Sequence, residues 1–353
     1  MQKASESIFS LGNGWMGQRA NFEERYSGHT LQGTYLAGVY YPDKTRVGWW
    51  KNGYPEYFAK VLNAPNWTGI DIEIDGEQLD LSVIEPVEFR RELNMQQGYL
   101  ERSFAIYVGS GRLEIEARRF LSMKRNEIGV IRYAIRSVDF SGQVSFAPYI
   151  DGNVVNQDSN YHEKFWDMLS TRAVAGSAYL MARTKKTDFV SCMTMCYTLE
   201  LNGEMAQPEP EVVERDDFVS NRISLELGQG EEAILYKYVS VLSSLNYKQE
   251  NMVDTGIKVL IDAMGAGFDA LFKEHAEVWK QNWDHSDIVI EGDTAAQQGI
   301  RFNIFQLNQT YTGKDERLNI GPKGFTGEKY GGSTYWDTEA YMIPFFLSTA
   351  PDQ

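Results

Sequence analysis

Near residue 250 the apolar pattern of this 353-residue chain changes period, and that change limits the folds open to it. Before it, apolar residues alternate. Ile70, Ile72 and Ile74 are separated by Asp71 and Glu73, and Asp75-Gly76 follows, the residue pair that a type I′ hairpin favours. After it, Phe268, Leu271, Phe272, His275, Val278, Trp279 and Trp283 recur at three- and four-residue spacing, the apolar stripe of a helix. A period of two buries one face of a sheet and a period of 3.6 buries one stripe of a helix. The chain therefore divides into a β part and a helical part.

The β part reads as a large sandwich of many short strands. A return strand is expected at Gln78–Leu81. A second hairpin runs Tyr99–Val108, turns at Gly109-Ser110-Gly111 and returns through Leu113, Ile115 and Ala117. Further strands are expected near residues 129–135, 144–149, 178–182, 190–199, 222–227 and 232–242. The first 60 residues, dense in Gly and aromatics, predict short strands and ordered loops rather than helices. From Asp254 the chain reads as helix, interrupted at Gly265-Ala266-Gly267. Asp293 or Thr294 is placed to cap the next helix, which carries Ile300, Ile304, Leu307 and Tyr311 on one face. A Gly-rich loop over 313–335 precedes a last helix beginning near Asp337 and ending on Phe345 and Phe346. The three or four helices are too few to close a core of their own, so apolar surface is left over.

Charge and cysteine usage narrow the partners. A net charge of −15 repels nucleic acid phosphates and anionic lipid, so neither is an expected partner. The two cysteines, Cys192 and Cys196, share a face of one strand but lie roughly 13 Å apart, too far to bridge. No disulfide framework, signal peptide or membrane span is visible, which points to the cytoplasm. The 8 Trp and 20 Tyr serve either a large aromatic β core or a sugar site built from stacking faces.

Most chemistries find no support. His29, His162, His275 and His285 form no HExxH, and neither cysteine pairs with a histidine at ligand spacing, so no metal is expected. His275, on the apolar face of its helix, reads as a hydrogen-bonded core residue. The Gly-rich stretches LGNGWMG and GPKGFTGEKYGG match no phosphate-loop pattern, and Gly12, Gly14 and Gly17 are assigned to tight turns. A GxSxG elbow is absent. What remains is Tyr335-Trp336-Asp337-Thr338-Glu339, which follows the glycines Gly331-Gly332 and opens a helix. An indole beside a carboxylate makes a sugar clamp, with a stacking face and an acceptor for paired hydroxyls. The same pair equally makes a core anchor followed by a helix N-cap, and spacing alone leaves both open.

Three stretches carry a resemblance: LQGTYLAGVYYPDKTRVGWWKNGYPEYFAKVLNAPNW from Leu31, QQGIRFNIFQLNQTY from Gln297, and RLNIGPKGFTGEKYGGSTYWDTEAYMIPFF from Arg317. Through them the chain resembles glycoside hydrolase family 65, on the branch that phosphorolyses maltose. The resemblance implies a mainly β N-terminal supersandwich of the galactose mutarotase-like type, an α-helical linker and the first helices of an (α/α)6 barrel. In this sequence those parts fall at 1–250, 251–292 and 293–353. It implies an inverting reaction of maltose and phosphate to β-D-glucose 1-phosphate and glucose, with phosphate as co-substrate and no cofactor. It also implies that Trp336 and Asp337 bind the transferred glucosyl unit, and that the full-length protein is a homodimer. The Thr45–Tyr57 region is a candidate to approach the barrel mouth. Family chains are about twice this length. The general acid Glu and the phosphate-binding residues are expected beyond residue 353, and a short segment is expected ahead of Glu6-Ser7-Ile8-Phe9. Glu328, in a mobile-looking loop, and Glu339, in a first helical turn, are not taken as the acid. Residues 1–353 alone are expected to be inactive. Alternatives are a kojibiose, nigerose or trehalose phosphorylase, an acid trehalase, or a non-catalytic carbohydrate-binding sandwich.

Overall fold

The structure, a computed structural model, describes residues 2–45, 56–159 and 162–351. Strands occupy the chain as far as Ser243, and helices follow from Met252. Two antiparallel sheets form the sandwich. The larger runs Trp166–Val174, Ser177–Thr184, Val190–Leu201, Glu232–Ser243, Ile128–Ser137, Gly111–Leu121, Tyr99–Val108 and Val87–Asn94, with Glu204–Ala206 paired beside Val190–Leu201. The smaller runs Glu211–Arg215, Phe218–Leu227, Gly142–Asp151, Ile70–Ile74 and Glu77–Gln78. Two minor sheets, one of them built from Leu11–Gly12, Met16–Gln18 and Thr34–Leu36 and the other from Tyr40–Lys44 and Tyr57–Val61, complete the β part.

The alternation read from the sequence is the alternation of burial. Ile70, Ile72 and Ile74 are buried, and with Val144, Phe146 and Ile223 they meet Leu113, Ile115, Tyr133 and Leu235 from the larger sheet in one core. Asp75 and Gly76 both take positive φ, as the two-residue turn requires. The strands at Trp166–Val174 and Val87–Asn94 lie at the two ends of the larger sheet. Partial exposure erodes their alternation, and the sequence alone does not mark them.

The outer face of the larger sheet is covered by helices. α1 (Gln2–Ile8) stands at the N-terminus, and α2 (Met252–Ala266) and α3 (Phe268–Ser286) follow the last strand. Gly267 at φ 79° breaks α2 from α3. Leu260, Ala263, Phe268 and Leu271 pack on Phe120, Val130, Cys196 and Tyr238. Cys192 and Cys196 are free and buried in one strand, and burial pushes the Cys192 thiol up to about 12. α4 (Thr294–Thr310) is capped by Asp293, whose side chain accepts from the Ala296 N–H at 2.9 Å. Phe305 of α4 stacks on Trp279 of α3 at 4.6 Å between ring centroids.

α1 departs from the expectation of strands and loops alone. Its sequence, QKASESI, carries no helical apolar stripe. Tertiary contacts hold it: the buried Glu6 carboxylate accepts from the Leu31 N–H at 2.9 Å and from the Thr30 hydroxyl, and lies 3.7 Å from Arg19. The glycine assignments also need correction. Gly14 does turn, at φ 78°, but Gly12 and Gly17 are close-approach positions. A Cβ at Gly17 would lie 2.0 Å from the Phe325 side chain, and one at Gly12 would lie 2.7 Å from it.

Several charged groups inside this core meet opposite charges or carbonyls. Arg102 meets both Glu23 and Glu24, Arg119 meets Glu23 at 3.0 Å, and the Tyr133 hydroxyl donates to Glu24 at 2.5 Å. Lys237, fully buried, spends its ammonium on three backbone carbonyls: Trp67 at 2.6 Å, Tyr149 at 2.7 Å and Gly69 at 2.8 Å. Replacing it by Met takes a donor from three buried carbonyls, of which Gly69 keeps the Tyr149 N–H at 3.1 Å, and a stranded acceptor costs about 1–3 kcal/mol of desolvation. Lys237→Met is expected to lose roughly 3 kcal/mol or more in urea unfolding. A loss below about 1 kcal/mol would show that the three bonds do not matter to stability.

His275 is the core histidine anticipated. Its Nδ1 accepts from the Met123 N–H at 3.1 Å, so the proton sits on Nε2, which donates to the Gly98 carbonyl at 3.0 Å. Burial lowers its pKa from 6.5 to about 4. Because the unfolded ring binds a proton more readily, this contribution is whole above about pH 6.5 and is lost as pH falls towards 4. Wild type is expected to lose about 3 kcal/mol more than His275→Gln across that window. Equal losses in paired urea titrations would remove the assignment.

Candidate functional site

Between α4 and the last helix, residues 311–335 form a strap laid across the sandwich, with bonds spread along its length. Lys314 donates to the Met123 carbonyl at 2.9 Å, and Arg317 donates to the Leu245 carbonyl at 2.7 Å. Asn319 accepts from the Tyr40 hydroxyl at 2.5 Å and donates to the Gly332 carbonyl at 2.7 Å. Ile320 and Phe325 are buried. The Thr326 carbonyl accepts from Ser7 at 3.1 Å and from the Arg19 guanidinium.

Gly331 and Gly332 are positions of close contact. Gly331 sits at φ 62° with the Ala59 carbonyl 2.1 Å from where a Cβ would be, and at Gly332 that atom would lie 1.8 Å from the Tyr40 ring. The Gly332 N–H donates to the Ala59 carbonyl at 2.9 Å. The loop around Glu328 is equally fixed. Glu328 is only 3% exposed, and its Oε2 accepts from the Asp158 N–H at 3.3 Å. Burial first, and the charge of Asp158 second, push its carboxyl up to about 7.

The strap delivers Trp336 and Asp337 to the start of a helical turn. Thr338, buried, donates its hydroxyl to the Ile320 carbonyl at 2.9 Å and so pins that turn to the strap. A π-helical turn spans Thr338–Met342, and α5 covers Ile343–Thr349. Pro344 explains the widening. It has no N–H, and in an α-helix its ring would strike the Ala340 carbonyl, whereas the wide turn closes one residue earlier through the Ile343 N–H on the Thr338 carbonyl.

The two structural roles left open for Trp336 and Asp337 do not describe them. Trp336 is 67% exposed, so it is not a core anchor; its ring centroid lies 5.6 Å from that of Tyr341. Asp337 occupies the N-cap position but makes no capping hydrogen bond with its side chain. Its half-buried carboxylate has no hydrogen-bond partner among the described residues. An indole face and an unspent carboxylate therefore stand side by side. A hollow of about 300 Å³ adjoins them, lined by Tyr311, Asn319, Thr334, Thr338, Glu339 and Phe346. Trp336 and Asp337 do not line it; they lie on open surface beside it.

Of the other residues weighed from the sequence, Glu339 is exposed at the rim of the hollow. Residues 46–55 of the Thr45–Tyr57 region lie outside the described residues. Among the described residues no group of three His, Cys, Asp or Glu side chains is set to hold a metal, and no helix is long and apolar enough to cross a membrane. The sequence analysis missed the burial of Glu328. The signal available was Ile320 and Phe325, two apolar anchors inside a Gly-rich stretch that a solvated loop has no use for.

Residues 1–282 match the N-terminal domain of glycosyl hydrolase family 65, and residues 301–353 match that family's central catalytic domain. The chain is 45% identical, over 98% of its length, to maltose phosphorylase of Bacillus subtilis, and 32% identical, over 99%, to α,α-trehalose phosphorylase of Thermoanaerobacter brockii. These alignments take in 45% and 46% of those relatives, so the chain spans about half their length. A putative kojibiose phosphorylase from the human microbiome superposes with a TM-score of 0.89 over 99% of this chain and 45% of that one, at 29% identity. With a match that covers most of its residues and a structural neighbour of the same build, the chain belongs to glycosyl hydrolase family 65.

Proposed function

We propose that this chain is the N-terminal portion of an inverting disaccharide phosphorylase that converts maltose and phosphate to β-D-glucose 1-phosphate and glucose. The reading rests most heavily on the exposed Trp336 beside the unspent carboxylate of Asp337, at the head of the segment that matches the family's catalytic domain. In this scheme Asp337 accepts from a pair of hydroxyls of the transferred glucosyl ring, and Trp336 walls the ring's apolar face. A phosphate oxygen attacks the anomeric carbon from the face opposite the leaving oxygen. The bond from that carbon to the acceptor glucose breaks, and a carboxylic acid supplies the leaving oxygen with its proton. One carboxyl suffices, because phosphate is already an anion and needs no base to activate it. Neither Glu328, clamped under the strap, nor Glu339 takes the donor role; that residue belongs to chain beyond residue 353. Residues 1–250, 251–292 and 293–353 act as sandwich, linker and opening of the catalytic helical barrel, in a cytoplasmic homodimer that uses phosphate and no cofactor.

Maltose is favoured over trehalose, kojibiose or nigerose by the higher identity to the maltose-named relative. A panel of these disaccharides, with and without phosphate, given to the full-length protein separates the activities and exposes a hydrolase. Two results are expected of residues 1–353. A coupled glucose 1-phosphate assay shows no turnover, and measurable turnover overturns the placement of the proton donor. In calorimetric titration with glucose, Asp337→Asn weakens binding by ten- to a hundredfold, as loss of a charged acceptor costs about 1.5–3 kcal/mol. Asp337→Asn binding glucose as well as wild type does would remove the sugar clamp.

A further inference from the structure

Glu328 has no place in the scheme above, yet it is the one acid of the strap that is buried against the sandwich. We propose that Glu328 is a positioning residue for Trp336 and Asp337: its carboxyl, seated against Asp158, is the clamp that fixes the strap on the sandwich. Its bearing on ligand binding rests on the reading of those two residues as the sugar site. The clamp itself does not.

Oε1 of Glu328 and Oδ1 of Asp158 are both buried, and neither has a hydrogen-bond partner among the described residues. Two neighbouring carboxylates cannot satisfy each other, since both only accept. One proton on Glu328 changes this: the acid donates through Oε1, Asp158 accepts, and two buried oxygens are satisfied at once. On Asp158 it is Oδ2 that is spent, on the Lys60 ammonium at 2.6 Å, which leaves Oδ1 to accept. Among the described residues no cation pairs with Glu328. Arg19 is engaged with the Thr326 carbonyl, the Leu31 carbonyl and Glu6, and the buried Tyr35 hydroxyl is neutral. On the strap itself Lys323 lies over the Tyr330 ring and Lys329 is exposed.

The clamp is therefore sensitive to pH. Burial and the charge of Asp158 raise the Glu328 carboxyl from 4.5 to about 7. The seated strap holds the proton more tightly than the released one. Its advantage is complete below about pH 4.5 and is lost as pH rises through about 7. Above that, two negative charges face each other under the strap, and the seating equilibrium shifts by on the order of a hundredfold. Release matters downstream because Thr338 ties the Trp336–Asp337 turn to Ile320 of the same strap.

Hydrogen exchange of residues 320–337 in the whole chain, corrected for the intrinsic effect of pH, tests this without any sugar. In wild type the protection is expected to fall at least tenfold between pH 5.5 and pH 8. Glu328→Gln, which keeps a donor at every pH, retains it at pH 8, whereas Glu328→Ala lacks it at both. Asp158→Asn removes the charge that helps raise the Glu328 carboxyl, so the fall becomes smaller and moves to lower pH. Wild-type protection that is level across the range overturns the proposal, as does Glu328→Gln exchanging like Glu328→Ala at pH 5.5. If Glu328→Gln fails to fold, Asp158→Asn decides: the same pH profile as wild type overturns the clamp. Loss of the glucose titration signal with the exchange profile intact would count against the sugar site alone.

Discussion

The larger sheet must be covered on both faces, and the rest of the molecule is arranged to do it. Its central strand, Glu232–Ser243, is buried along nearly its whole length, and apolar residues fill it apart from Glu232, Lys237, Ser240 and Ser243. The smaller sheet covers one side. On the other, the chain reverses after Ser243 and lays α2 and α3 across Phe120, Val130 and Tyr238. Gly256 lets α2 come close, since a Cβ there would meet Thr194 and Ser240 at 3.0 Å or less. The helical part thus begins as the lid of the β part, and the linker between them carries core.

That packing fixes where the candidate site can be. α3 seats Trp279 against Gly98, and Phe305 of α4 stacks on Trp279, so α4 is registered to the sandwich through two aromatic rings. The strap leaves from the end of α4 and returns over Met16–Gln18, Tyr40 and Ala59, held by Phe325, Asn319 and Gly332. Trp336 and Asp337 are consequently positioned by the β-sandwich, although they head a helix of the next domain. This gives a physical use to the large sandwich: it is the surface against which the first loop of the segment matching the family's central catalytic domain is cast.

The polar interior follows one rule. Arg102 and Arg119 sit between Glu23 and Glu24, Lys237 holds three carbonyls, and His275 bridges a donor and an acceptor. Each joins segments distant in sequence and finds its hydrogen-bond partner there, which is the condition for burying such groups at all. Glu328 and Asp158 differ in being two acids side by side, each with a buried oxygen left unpaired, and one proton shared between them would pair both.

Local physics alone settled much of this protein. The period of two placed the Ile70–Ile74 hairpin and its Asp75-Gly76 turn; the period of 3.6 placed α3; Gly267 and Asp293 marked a helix break and a cap. Each depends on residues within one or two turns of one another, so it is written in the order of the side chains. Trp336 and Asp337 were legible as a pair, but not as exposed and unspent. The tertiary structure alone decided that α1 forms without an apolar stripe, that Gly17 admits Phe325, and that Glu328 is buried beneath a loop that looks mobile. The contacts behind α1, Phe325 and Glu328 join residues from 13 to more than 300 positions apart, such as Arg19 with Glu6, Asp158 with Glu328 and Ser7 with Thr326. A charge or a glycine acquires its role there from what the fold brings to it, and no local pattern carries that information.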